Sequence, residues 1–200
     1  MKSKMRNSKS KEKKNIKWHT KDRIKKYYYS DNKFIRYFTW KRIEMVKKLI
    51  EKNKSVLDIG GGSGELGQIL DKSNYYKVID IIDFSEDVEN FELLDITQNH
   101  LDEKFNIITA VSFFNHLNKR EILEAITHIK IMMKDKLIVG LLTENIIYKI
   151  GRFLHCGHFN QPEHLSSKDM IYEMLSRFFN RIESYSFLGL YEVTVWKKKN

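Results

Sequence analysis

The densest chemistry in this 200-residue chain lies between Ser55 and Gly67, which reads Ser-Val-Leu-Asp-Ile-Gly-Gly-Gly-Ser-Gly-Glu-Leu-Gly. Five of the chain's nine glycines fall here: Gly60, Gly61, Gly62, Gly64 and Gly67. Glycine is needed where the backbone takes positive φ or where another molecule approaches it closely. Gly62, Gly64 and Gly67 match the Gly-x-Gly-x-x-Gly spacing that cradles a pyrophosphate at a helix N-terminus. Asp58, just ahead of the glycines, changes that reading. A carboxylate at this place repels a pyrophosphate and suits a cationic ligand.

The elements that must position these residues follow from the apolar pattern. Ser55–Ile59 is long enough for a buried strand, and Leu66, Ile69 and Leu70 follow at helical spacing. The stretch reads as strand, glycine turn, helix. Upstream, Ile43, Val46, Leu49 and Ile50 form one face of a helix over Trp40–Lys52, preceded by a turn at Ser30-Asp31-Asn32 and a crowd of aromatics from Tyr27 to Trp40. Those aromatics read either as core or as the wall of a ligand site. Downstream come strands at Tyr75–Ile82, Phe91–Leu94, Phe105–Val111 and Lys136–Leu142, with an amphipathic helix over Lys119–Met132. A helix over Ser167–Phe179 and strands at Arg181–Leu188 and Tyr191–Trp196 close the chain. The alternation implies right-handed crossovers and a parallel sheet.

Val56 to Gly64 resembles the first motif of class I S-adenosylmethionine-dependent methyltransferases. The resemblance implies an α/β fold: a Rossmann-like, doubly wound, mostly parallel seven-stranded sheet with a C-terminal antiparallel hairpin. It also implies S-adenosyl-L-methionine as cofactor, its methionyl end on Asp58, Gly60, Gly61, Gly62 and Gly64. An acid at the tip of the second strand then accepts the ribose hydroxyls. Asp83-Phe84-Ser85 resembles the family's tip motif, but that choice leaves Asp80 charged inside a strand, so burial favours Asp80. Only Ser85–Asn90 separate the second strand from the third, where the family commonly has a full helix. Asp95 and Ile96 resemble the adenine-binding motif, although Asp95 also reads as a turn or cap residue. Ser112 and Phe113, at the tip of the fourth strand, fall beside the methyl group, and His116 of the His-Leu pair reads as a general base or as a loop support. Arg36 and Arg42 are both candidates for the cofactor carboxylate. The closest type within the family is the small-molecule, ubiquinone/menaquinone-biosynthesis-like one.

Charge separates the chain into two parts. Residues 1–26 hold twelve Lys/Arg and two acids, while residues 27–200 hold twenty-four of each sign. The first part reads as a solvated tail or as an arm for nucleic acid or an anionic membrane surface. RNA or protein methylation, or a non-catalytic cofactor-binding scaffold, are the rival functions to a small-molecule acceptor. The expected organisation is a disordered arm over 1–16 and one domain over 17–200, with a helical cap (17–53), a core (54–200) and a lid loop (144–167). The single cysteine, Cys156, fits a reducing, cytoplasmic setting, and no apolar run approaches the ~20 residues of a membrane span. His155, Cys156, His158 and His164 match no standard zinc spacing, so no metal is expected.

Overall fold

The computed structural model describes residues 27–143 and 164–199. Strand β1 (Ser55–Ile59) is buried over Val56–Ile59 and runs parallel to β2 (Tyr75–Asp80) on one side and β4 (Phe105–Val111) on the other. The short β3 (Phe91–Leu93) extends the sheet beyond β2 in parallel. On the other side β5 (Met133–Leu142) pairs parallel with β4. The hairpin of β6 (Phe179–Phe187) and β7 (Tyr191–Lys198) then adds β7 antiparallel to β5. The order is β3-β2-β1-β4-β5-β7-β6, a mixed seven-stranded sheet that is mostly parallel, as the motif resemblance implies.

Helices cover both faces. Side chains alternate across a strand, so Val56 and Ile107 point to one face and Leu57 and Ile108 to the other. On the first face, Ile43 and Val46 of α1 (Lys33–Lys47) and Leu66 of α2 (Glu65–Ile69) bury against Val56, Ile107, Ile138 and Val193. On the second, Ile122, Ile126 and Ile129 of α3 (Lys119–Met132) and Ile171, Met174 and Leu175 of α4 (Lys168–Ser176) bury against Leu57, Ile108, Val139 and Trp196.

Several boundaries differ from the sequence-based expectation, each for a local reason. Helix α1 starts at Lys33 rather than Trp40, because the Asn32 side chain accepts the Phe34 and Ile35 N–H groups; it ends at Lys47 rather than Lys52. Strand β2 stops at Asp80 rather than Ile82, because the Asp80 carboxylate takes the Ile82 N–H and bends the chain out of the sheet. Helix α4 is Ser167-capped and ends at Ser176, short of Phe179, which already belongs to β6. Helix α3 has the expected bounds, with a reciprocal Asn118–Glu121 capping box. The connection from β2 to β3 is a turn, closed by Asp87 and Val88 N–H donation to the Phe84 carbonyl. Among the described residues no helix is long and apolar enough to cross a membrane. The expected arm over 1–16 and most of the expected lid loop lie outside the described residues.

Candidate active site

Asp58 lies near the carboxyl end of β1 and is 3% exposed. Its parallel neighbour on β4 is Thr109, whose hydroxyl donates to Asp58 Oδ1 at 2.6 Å. Tyr76, on β2, donates its hydroxyl to Oδ2 at 2.8 Å. Both oxygens are thus held by uncharged donors. Burial raises the Asp58 pKa to about 6, against the pull of those two donors and with the Glu65 and Asp80 charges adding to the rise. Glu65, also buried, accepts the Ser63 hydroxyl at 2.5 Å on the inner side of the same loop.

The glycine turn is shaped to this carboxylate. A Cβ on Gly61 would stand 2.7 Å from Asp58 Oδ2. A Cβ on Gly67 would run into the Tyr76 ring, which passes beneath α2 to reach Asp58. Bare backbone at these two places lets the loop close over the carboxylate and its tyrosine. The Gly62 N–H donates to Asp80 Oδ2 at 3.1 Å, joining the loop to the tip of β2. Asp80 therefore belongs to the Asp58 cluster. Asp83 is exposed and accepts the Ser85 N–H at 2.9 Å. Asp95 takes the Thr97 N–H and hydroxyl on Oδ1 and the Gln98 side-chain amide on Oδ2, so its turn is built around it. Ile96 beside it is buried, and its carbonyl meets His128 Nδ1 at 2.6 Å.

At the tip of β4, Ser112 takes positive φ (53°) while its N–H holds the Gly140 carbonyl at 2.7 Å. A side chain in that conformation is strained, as residues at functional sites often are. Phe113 follows and lies over Gly60, where a Cβ would be 2.9 Å from its ring. His116 ends the 3-10 turn Phe114–His116, with its ring centroid 5.3 Å from that of His164. Residues 164–166 are tied to this tip: Leu165 and Ser166 donate N–H to the Asn115 carbonyl, and the Ser166 hydroxyl donates to Leu117. The described end of the expected lid loop therefore lies at the β4 tip. His155, Cys156 and His158 lie outside the described residues. Among the described residues no group of three or more His, Cys, Asp or Glu could hold a metal.

Of the two arginines left open by the sequence, α1 brings one to the strand tips. Arg42 Nη1 donates to the Ser112 hydroxyl at 3.3 Å, and its guanidinium stands 5.6 Å from the centre of the Tyr191 ring. Its Nε–H is buried, with no hydrogen-bond partner among the described residues. Arg36 instead donates to the Ser30 carbonyl. Burial holds the hydroxyls of Tyr28, Tyr76 and Tyr191 above their usual pKa, that of Tyr191 at about 12, so all three stay neutral around the cluster. Sequence reasoning missed Thr109, Tyr76 and Glu65 as partners of the site. The Thr109 signal lies in the β1–β4 register, which no single strand's pattern carries.

A model of the family described as "Methyltransferase domain" matches residues 32–169, which span α1 through the first residues of α4. The chain belongs to the methyltransferase-domain family. Solved methyltransferase structures share its fold at low identity. Magnesium protoporphyrin IX methyltransferase (ChlM) of Synechocystis PCC 6803, with bound S-adenosylhomocysteine, is 15% identical and aligns with a TM-score of 0.70 over 89% of this chain and 94% of that one. N-methyltransferase NodS of Bradyrhizobium japonicum WM9, in complex with S-adenosyl-L-homocysteine, is 15% identical over 86% of this chain and 90% of that one, with a TM-score of 0.62. A TehB-like methyltransferase of Corynebacterium glutamicum ATCC 13032 is 13% identical over 79% and 87%, with a TM-score of 0.61. No curated protein matches this methyltransferase-domain chain significantly.

Proposed function

We propose that this chain transfers a methyl group from S-adenosyl-L-methionine to a small-molecule acceptor. The observation that carries the reading is the buried Asp58 behind a glycine turn whose Gly62 N–H reaches the Asp80 carboxylate. The residues present fit the cofactor's charges. The Nε–H of Arg42, without a partner among the described residues, offers a carboxylate a charge-assisted bond. Asp58 sets a negative charge behind the loop for the ammonium, with its oxygens oriented by the Thr109 and Tyr76 hydroxyls. Gly60, Gly61, Gly62 and Gly64 line the methionyl end. Asp80 accepts the ribose hydroxyls, with Asp83 as the alternative, and Asp95 and Ile96 hold the adenine.

When bound, the cofactor supplies an electrophilic methyl group on a sulfonium. The protein's part is to orient the acceptor and to exclude water. Ser112 and Phe113 flank the transfer point, and His116 accepts the acceptor's proton. Magnesium protoporphyrin IX methyltransferase, whose fold this chain shares, acts on a small molecule, which supports an acceptor of that size.

Titration calorimetry with S-adenosylhomocysteine tests the reading. Exothermic one-to-one binding is expected, weakened at least about tenfold by Asp80→Asn and by Arg42→Ala, each of which removes a bond to a charged or polar group. No heat with either form of the cofactor, together with thermal stabilisation by NAD, would sink it.

A further inference from the structure

Exposed apolar side chains gather at one end of the molecule. Phe34 and Tyr37, 66% and 56% exposed, stand three residues apart on the outer face of α1. Leu188, 67% exposed, tips the β6–β7 turn. The Tyr37 ring lies 6.3 Å from that of Phe187, the residue before Leu188, so helix face and turn form one surface. Leu142 pairs with Tyr191, which places this turn at the carboxyl end of β5, on the same edge of the sheet as the glycine loop.

The turn has positive φ at Leu188 and Gly189, 52° and 65°, and is closed by Leu190 N–H donation to Phe187. Hairpin turns of this kind favour Asn followed by Gly. A leucine in the left-handed region is strained, and at this exposure its side chain gains little packing among the described residues in return.

The sequence leading into this surface is strongly basic. Residues 1–26 carry twelve Lys/Arg and two acids and end next to Tyr27, itself 44% exposed. Lys33 and Arg36 of α1 are exposed too, with Asp31 as a nearby exposed acid.

We propose that this end of the molecule docks on an anionic lipid membrane. Phe34, Tyr37 and Leu188 enter the headgroup region, and the basic residues 1–26 neutralise lipid charge. Each signal is weak alone, and apolar anchors joined to a polybasic segment give stable peripheral binding. A single-stranded nucleic acid calls for a basic groove along its phosphates and stacking platforms for its bases. The equal charge count of residues 27–200 argues against such a groove, and Leu188 offers a base neither a ring nor a hydrogen bond. Docking in this pose turns the strand tips toward the bilayer. The acceptor is then amphipathic and drawn from the membrane, a corollary that rests on the methyl-transfer reading; the docking itself does not.

Co-sedimentation of the full chain with phosphatidylcholine vesicles, with and without phosphatidylglycerol, tests the surface. Binding is expected to rise about tenfold with the anionic lipid and to fall with salt. The double variant F34S/L188N should lose about tenfold of that binding, because both anchors become polar. Its melting temperature should not fall, since Asn suits the turn, and its affinity for S-adenosylhomocysteine should match the parent's. Cofactor binding thus reports on the methyl-transfer reading separately from the vesicles. Equal binding to both vesicle types, undiminished binding by F34S/L188N, or a preference for an RNA oligonucleotide over the anionic vesicles overturns the proposal.

Discussion

Asp58 concentrates the conflict between stability and function in this chain. Burial pushes its pKa up to about 6, so near neutral pH the protein carries an ionised carboxylate that its surroundings disfavour. A carboxyl whose folded pKa lies above its unfolded value favours folding while protonated, and that contribution is lost as the pH rises through the folded pKa. Asp58→Asn, which keeps the Thr109 and Tyr76 hydroxyls near a polar group, should therefore be more stable than the parent by about 2 kcal/mol at pH 8. The advantage should shrink as the pH is lowered toward 5. Denaturant unfolding at the two pH values measures it, and calorimetry should show cofactor affinity falling in the same variant. His116 calls for a different test. If it takes the acceptor's proton, His116→Gln lowers kcat by about 10–100-fold, flattens the acid limb of the pH profile and leaves cofactor affinity unchanged. A purely structural His116 would instead lower the melting temperature and keep the pH profile.

The glycine turn and α2 act as one element with β2. Tyr76 spans from beneath Gly67 to the Asp58 carboxylate, so the helix can sit close to the sheet only while position 67 lacks a side chain. Gly67→Ala should cost about 1–3 kcal/mol of stability through overpacking, although alanine is otherwise the better helix former. With Tyr76→Leu the clash is relieved, and the same Gly67→Ala change should become neutral or favourable. A double-mutant cycle by thermal or denaturant unfolding reads this coupling. The loop's closure on Asp80 depends on where β2 ends. Had the strand run on through Ile82, the Asp80 carboxylate would have been spent inside the sheet rather than on the Gly62 and Ile82 N–H groups.

For the molecule as a whole, the sheet order places β1, β4 and β5 between paired neighbours and under helices on both faces, while β3 and β6 are edges. Amide hydrogen exchange should therefore be slowest in β1, β4 and β5, approaching the global unfolding rate, and much faster in β3 and β6. Saturating S-adenosylhomocysteine should add protection at the glycine turn and in α1 around Arg42, and leave the outer edge of β6 unchanged. Uniform exchange across the sheet would contradict this picture of its core.

Local sequence was enough for whatever depends on neighbours along the chain. The Asp58–Gly67 turn, the bounds of β4 and α3, and the alternation that makes a parallel sheet were legible, because hydrophobic period, capping and glycine content act within a few residues. Ser30-Asp31-Asn32 carries a turn signal in the sequence, but that Asn32 caps a helix beginning at Lys33 shows only in its bonds to the Phe34 and Ile35 N–H groups. What three-dimensional packing decided was which distant groups meet. Thr109 and Tyr76 hold Asp58 only because β1 lies between their strands, and Arg42 reaches Ser112 only because α1 crosses the β4 tip. The choice between Arg36 and Arg42 and the gathering of Phe34 with Leu188 belong to the same class. Such pairings are set by strand register and helix docking between segments far apart in sequence, and no local pattern encodes them.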